Sequence, residues 1–210
     1  MQAPPQVRFN DGASYETFMG VWSRDIGEQF LQWLAPPAGW RWADVGCGNG
    51  AFTELLVERC AVAEVCGIDP SPEQLAFARQ RLATAPARFV EGDAMALPWP
   101  DASFDAVVCS AVLHFADDAA HFERMVDELW RVLAPRGLFF ARLASNIGLE
   151  TVIGPGGRRV RLPDGSDRFV VDEAILVTLS ARLGGRLADP LKTTVVQGMC
   201  AMTTWCLLKG

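Results

Sequence analysis

Within five residues, Gly46-Cys47-Gly48-Asn49-Gly50, three glycines stand between a short apolar run and an amphipathic one. The run before them, Trp42-Ala43-Asp44-Val45, reads as a buried strand. The run after them, Ala51–Cys60, carries Phe52, Leu55, Leu56 and Arg59 at helical spacing. The unit is therefore strand, glycine loop, helix. Glycine lets the backbone turn sharply and lets a ligand approach where a Cβ would clash. The same geometry aims backbone N–H groups and a helix N-terminus at whatever lies over the loop.

The remaining chain repeats that alternation. Val62–Asp69 reads as a second strand ending in an acid. Ser71 and Pro72 then form a helix start, and that helix runs to about Ala83. Ala87–Asp93 is a third strand, again ending in an acid, and Met95–Ser103 is a proline-broken loop. Phe104–Ala111 is almost continuously apolar, as a central parallel strand should be. Asp117–Leu133 is a helix with Phe122, Met125, Val126, Leu129 and Val132 on one face. Pro135-Arg136-Gly137 stops it, and Leu138–Leu143 is a fifth strand. Alternating strands and helices predict a parallel sheet with right-handed crossovers.

Ahead of this core, Tyr15–Ala35 carries Phe18, Trp22, Ile26, Phe30 and Leu34 four residues apart, with Leu31 widening the face. It reads as an amphipathic helix with a break at Gly20, stopped by Pro36-Pro37. Beyond Ser145 the turn signals Gly154–Gly157 and Pro163–Gly165 flank a small hairpin around Arg158–Leu162. Val171–Leu183 reads as a helix, and strands near Leu187–Val196 and Met199–Leu208 close an antiparallel edge.

A chain of 210 residues fits one domain, 1–210, with an N-terminal helical cap over 1–39, a core over 40–145 and a variable part over 146–210. The net charge of −6 argues against a nucleic-acid backbone as the main partner. The opening MQAPPQVRFNDG lacks the pattern of a signal peptide, and no apolar run approaches the ~20 residues of a membrane span. The expected location is the cytoplasm. None of the six cysteines, Cys47, Cys60, Cys66, Cys109, Cys200 and Cys206, forms a C-x-x-C pair; they read as reduced core thiols, with no metal site.

In a parallel α/β sheet, ligands bind outside the carboxyl ends of the strands. Three such ends carry the Gly46–Gly50 loop, Asp69 and Asp93. An acid after the second strand suits both hydroxyls of a ribose; one after the third suits an exocyclic amine. A nicotinamide oxidoreductase is the rival. It accounts for the loop and for Asp69, but its G-x-G-x-x-G fingerprint is one residue longer than the G-x-G-x-G found here, and it leaves Asp93 without a role.

The motifs ADVGCGNG, GIDPSPEQLAFAR, FVEGDAMALPWPDASFDAVVCSAVLHF and ELWRVLAPRGLFFA resemble, in succession, those of class I S-adenosylmethionine-dependent methyltransferases. The nearest type is the small-molecule branch that includes ubiquinone and menaquinone biosynthesis enzymes. The resemblance covers roughly residues 40–145, and YETFMGVWSR (Tyr15–Arg24) resembles that branch's cap. It implies a Rossmann-like three-layer α/β sandwich: a mostly parallel seven-stranded sheet with an antiparallel last strand and helices on both faces. It implies S-adenosylmethionine as cofactor, S-adenosylhomocysteine as product and a small-molecule methyl acceptor. It further implies that Gly46, Cys47 and Gly48 face the methionine part, with Asp44 behind the loop. Asp69 would take the ribose and Pro70 flank the adenine. Asp93 and the backbone of Ala94 would read the adenine edge, and Cys109 and Ser110 would lie beside the sulfonium. A catalytically silent cofactor-binding module is the other alternative.

Displacement at a sulfonium methyl needs mainly alignment and a dry cavity. A base is needed only where the acceptor must lose a proton. His114, after the fourth strand, is the candidate catalytic residue; its alternative is a polar wall residue. His121 reads as a surface residue. Tyr15 and Arg24 are candidates for a lid, Arg24 suiting the cofactor carboxylate; the alternative is a packed helix with Arg24 in solvent. Arg158, Arg159 and Arg161 read either as an anionic-substrate patch or as a solvated hairpin face.

Overall fold

The computed structural model describes residues 21–148, 158–162, 165–196 and 200–210, without the side chains of Val21, Trp22, Ser23, Ile26, Val196 and Cys200. They fall into two compact units that divide between Asp93 and Ala94.

The first unit opens with α1 (Val21–Leu34), which ends at Ala35 in a left-handed conformation, just before the proline pair. The part of the predicted helix before Val21, with Phe18 and the Gly20 break, lies outside the described residues. Strands β1 (Arg41–Val45), β2 (Glu64–Asp69) and β3 (Ala87–Glu91) pair in parallel in the order β3-β2-β1, Val45 opposite Ile68 and Asp69 opposite Glu91. Between them run α2 (Ala51–Arg59) and α3 (Pro72–Arg81). Ser71 caps α3 by accepting from Gln74 N–H, with proline in its first turn, as its sequence requires. Helix α1 lies close against α2: a Cβ on Gly27 would meet Leu55 at 2.6 Å, and the Phe30 and Phe52 rings are 6.2 Å apart.

The second unit holds β4 (Phe104–Ser110), a 3-10 turn (Leu113–Phe115), α4 (Ala119–Val132) and β5 (Leu133–Ala144). Asp118 caps α4 by accepting from His121 N–H at 2.7 Å. The five apolar residues expected on one face of α4 are all buried. Strand β5 starts earlier than the sequence suggests. Leu133 already pairs with Phe104, the Pro135–Gly137 stretch bulges out, and pairing resumes at Ala106 and Leu138. The hairpin β6 (Arg159–Arg161) and β7 (Asp167–Phe169) follows where the turn signals put it. Its Val160 and the adjoining Leu162 and Val170 cluster with Ala144 of β5.

Helix α5 (Glu173–Arg182), capped by Asp172, leads to β8 (Gly185–Leu187), β9 (Lys192–Val196) and β10 (Cys200–Lys209). The single strand expected near Leu187–Val196 is thus two, split at Asp189-Pro190, because proline cannot donate to a ladder. Strand β4 pairs with β5 in parallel; β10 pairs antiparallel with β5, β8 and β9. No described helix is long and apolar enough to cross a membrane.

Candidate functional site

The glycine loop leaves the buried end of β1 and folds back on β2. Gly46, Gly48 and Gly50 all have positive φ, at 76°, 51° and 79°. The N–H groups of Gly46 and Cys47 both donate to Ile68 O, at 2.8 and 3.1 Å, and Gly50 N–H donates to Cys47 O. The three glycines do different work. A Cβ on Gly50 would press on Ala78 of α3 at 3.0 Å, so this glycine lets the loop sit on a helix. A Cβ on Gly48 would meet nothing within 4 Å. The loop is therefore open above Gly48, which is the cradle a close-lying ligand needs.

Asp69, at the end of β2, closes this loop. Its Oδ2 accepts from Gly48 N–H and its Oδ1 from Ser71 N–H, both at 2.9 Å. One carboxylate thus joins the glycine loop to the turn into α3, and each oxygen keeps acceptor capacity for a further hydroxyl. Pro70 and Asp93 are exposed, the latter just beyond β3.

Two predicted residues point away from the opening. The Cys47 thiol packs over Gly67, where a Cβ would come within 2.8 Å of its sulfur. Burial, then Asp44 and Asp69, push this thiol far above the usual range, so it is inert at neutral pH and only its backbone is left to face a ligand. Asp44 is 4% exposed and accepts from the Thr53 hydroxyl at 2.7 Å. Burial raises its pKa to about 6; the Thr53 hydrogen bond opposes the shift and nearby Asp69 adds to it. Thr53 was not singled out from sequence. Its position in the first turn of the helix after the loop is the signal, since that turn lies back over the strand end.

Arg24 is 43% exposed and sits among acids. Its guanidinium pairs with Glu58 at 2.5 Å and lies within 4 Å of Glu54 and Glu28. Glu28 in turn pairs with Arg59, so α1 and α2 are laced by charge. Arg24 is neither alone in solvent nor presented bare to a carboxylate. Tyr15, the other lid candidate, lies outside the described residues.

In the second unit, Ala94 is buried, Cys109 is wholly buried at the end of β4, and Ser110 beside it is exposed. Ala111 then takes a left-handed φ of 62°, held by its N–H on Arg142 O at 2.8 Å. A non-glycine residue in that region is strained, and such strain gathers at functional turns. His114 is 5% exposed in the 3-10 turn, its ring 4.8 Å from that of Phe115. Phe115 is itself 46% exposed, with the Arg168 guanidinium 4.4 Å over its ring. His121 is half-buried and its Nδ1 lies 3.3 Å from Asp117.

The hairpin arginines are each matched to an aspartate. Arg158 pairs with Asp172 at 2.6 Å, Arg159 with Asp117, and Arg161 with Asp167 at 3.1 Å. Charge so balanced makes a poor anion patch and a good tether for the hairpin. The Arg159 hydrogen bond is the main cause that holds Asp117 below the usual carboxylate range. Among the described residues no group of three or more His, Cys, Asp or Glu gathers to hold a metal ion.

Residues 43–141 match the methyltransferase domain family. The chain is 33% identical over 161 residues to a demethylmenaquinone methyltransferase of Thermus thermophilus, covering 66% of this chain and 71% of that protein. It is 44% identical over 97 residues to the enzyme of that name from Deinococcus radiodurans, covering 45% of this chain and 39% of that one. The chain thus spans well under half the length of the second relative. Among solved structures it is similar, with a TM-score of 0.70 at 21% identity, to the magnesium protoporphyrin IX methyltransferase of Synechocystis PCC 6803 with bound SAH, over 99% of this chain and 90% of that one. This likeness gives the fold: a Rossmann-like α/β sandwich, mostly parallel, with an antiparallel last strand.

Proposed function

Since the chain belongs to the class I S-adenosylmethionine-dependent methyltransferases, we propose that it moves a methyl group from S-adenosylmethionine to a small organic acceptor by in-line displacement. The observation that carries this reading is the pairing of an open glycine loop with an acid at the next strand end, joined through Gly48 and Asp69. The names of the two curated relatives, each a methyltransferase acting on a quinone precursor, favour a small acceptor.

The cofactor supplies a methyl already activated by a positive sulfur. This chain's residues have to hold and align. Gly46, the Cys47 backbone and Gly48 line the methionine part. Asp69 accepts from the ribose hydroxyls with the lone pairs its two backbone donors leave. Pro70 flanks the adenine, Asp93 accepts from its exocyclic amine, and Ala94 N–H donates to its ring. Cys109 and Ser110 lie at the reacting end. Tyr15 and Arg24 belong to a lid, in which Arg24 reaches a carboxylate only by exchanging a glutamate partner. His114 is the candidate to take an acceptor proton. The cytoplasm is the proposed place of action, in keeping with the free thiols of the five cysteines described.

Calorimetry tests the reading. S-adenosylmethionine and S-adenosylhomocysteine should bind in the micromolar range, about −8 kcal/mol, and NAD should not. A methyl-acceptor panel follows. Tight NAD binding without response to S-adenosylhomocysteine would overturn it.

A further inference from the structure

The loop after Ala94 is built so that it cannot hold itself. Its sequence Leu97-Pro98-Trp99-Pro100 has two prolines, which lack N–H donors, and each preceding residue is kept extended by the ring that follows. Such a stretch forms no ladder of its own, and its carbonyls must be satisfied from outside.

One ion pair at the end of α4 does this. The Arg131 Nε donates to Glu128 Oε1 at 2.8 Å, and its Nη2 donates to Glu128 Oε2 at 2.8 Å and to Leu97 O at 3.0 Å. Its Nη1 donates to Trp99 O at 2.8 Å and to Asp101 Oδ1 at 2.9 Å. All five guanidinium N–H donors are therefore used. Both carbonyls that precede a proline are taken. The intervening polarity is completed by Glu128, whose Oε2 accepts from Leu97 N–H at 2.9 Å. Ala102 N–H returns to Arg131 O at 3.0 Å, and Trp99 packs edge-on against Phe104 at 5.0 Å. Four hydrogen bonds from the side chains of two residues about one helical turn apart thus fix the loop that follows Ala94.

We propose that Glu128 and Arg131 are positioning residues for cofactor recognition: they set the backbone of Ala94 so that its N–H meets an acceptor on the adenine ring and rejects a ring that carries a hydrogen there. This rests on the adenine reading proposed above. The pair touches no cofactor; it acts through Met95 and Ala96, the two residues between Ala94 and Leu97. A backbone donor discriminates only if it is held still, because a mobile amide can turn away from a mismatched ring. Lysine cannot replace Arg131, since a point charge with three donors cannot take two carbonyls, an aspartate and a bidentate glutamate together.

The test compares binding of S-adenosylhomocysteine and its 1-deazaadenine analogue, whose ring carries C–H in place of the N1 acceptor and keeps the exocyclic amine that Asp93 would take. It uses the parent, Arg131→Gln, Arg131→Lys and Glu128→Gln, with melting temperature read alongside. Lys209→Met serves as a destabilised control: Lys209 binds the Trp130 and Leu133 carbonyls at the same helix end but none in the loop. The parent should prefer the adenine form by about tenfold or more, the scale of one mismatched hydrogen bond. The Arg131 and Glu128 variants should bring that ratio close to one, chiefly by losing affinity for the adenine form, and Lys209→Met should keep the parent ratio. If Arg131→Gln does not fold, Arg131→Lys and Glu128→Gln carry the same comparison. Folded variants that keep the parent ratio, or that weaken both ligands equally, would overturn the inference, as would a parent without preference. A parent that binds neither ligand would instead overturn the cofactor reading beneath it.

Discussion

The Gly48 N–H donates to Asp69 Oδ2 at 2.9 Å, so the acid expected to take a ribose is also the residue that closes the glycine loop. The other oxygen takes Ser71 N–H at the same distance. A rim carboxylate read from sequence as a ligand contact is, in the fold, a joint between three segments: the loop after β1, the end of β2 and the start of α3. Binding and local order are therefore linked at one side chain.

Asp69→Ala should weaken cofactor binding by about 1.5–3 kcal/mol, the range for hydrogen bonds to a charged group. It should also lower the melting temperature modestly, because two backbone amides lose their partner. Asp69→Asn should do little better, since its amide NH2 would face one of those two donors. Calorimetry and a thermal melt on the same preparations separate the effects. A folded alanine variant with parental affinity would show that Asp69 serves the loop alone.

Gly48→Ala and Gly50→Ala should fail in different ways. Both have positive φ, which costs a residue with a Cβ roughly 1–2 kcal/mol. At Gly50 the methyl also presses on Ala78 at 3.0 Å, adding about 1–3 kcal/mol of overpacking, so the loss should appear in stability. At Gly48 the methyl meets open space, so the fold should survive and cofactor binding should be lost. Chemical denaturation beside calorimetry reads both. Equal binding losses with equal melting temperatures would mean that the two glycines share one role.

Asp44 gives a pH dependence of definite sign. Its folded pKa is raised from 3.8 to about 6, mainly by burial. Between those values the folded state binds more protons than the unfolded one, so this group's contribution falls as pH rises through the window and is constant above it. The full swing is roughly 3 kcal/mol. Asp44→Asn removes it. The stability of Asp44→Asn minus that of the parent should be near zero below about pH 4 and should grow to a plateau above about pH 6. Denaturant melts across that range check it, and a flat difference would place the buried carboxyl's pKa near its ordinary value.

Local chemistry explains what was legible in the sequence. The strand–glycine–helix unit, the cap at Ser71 and the buried face of α4 each depend on residues within a few positions of one another. Hydrophobic period and turn residues carry that information directly. The partnerships that order the site do not lie close in sequence. Arg131 meets Leu97 across 34 positions, and Arg159 meets Asp117 across 42. No periodicity shows that an arginine in a hairpin has its own aspartate, so the sequence reads the Arg158–Arg161 run as a patch or, more readily, as a solvated face. The start of β5 was hidden for another reason. Pro135-Arg136-Gly137 signals a stop, yet the strand passes it as a bulge, with Arg136 at a φ of 63°.

His114 is the last link between this geometry and chemistry. It is 5% exposed, packed against Phe115 in the turn that follows Ala111. Replacing it with alanine opens a cavity, so some stability should go whatever its role. Rate and pH dependence separate the two readings. A base that takes the acceptor's proton should cost roughly 10²–10⁴-fold in rate when removed, with cofactor affinity nearly intact. The parent rate should then fall with falling pH, as the base becomes protonated. A residue that only positions the acceptor should instead raise the acceptor KM and leave the pH profile unchanged, and a wall residue should change neither rate, KM nor pH profile. His114→Gln sharpens the comparison, because it keeps a polar group of similar reach but cannot take up the proton. The expected result for a base is that glutamine is as slow as alanine while holding KM close to the parent's. Recovery of rate with glutamine would assign His114 to positioning, and the proton would then leave to solvent or from an acceptor already ionised.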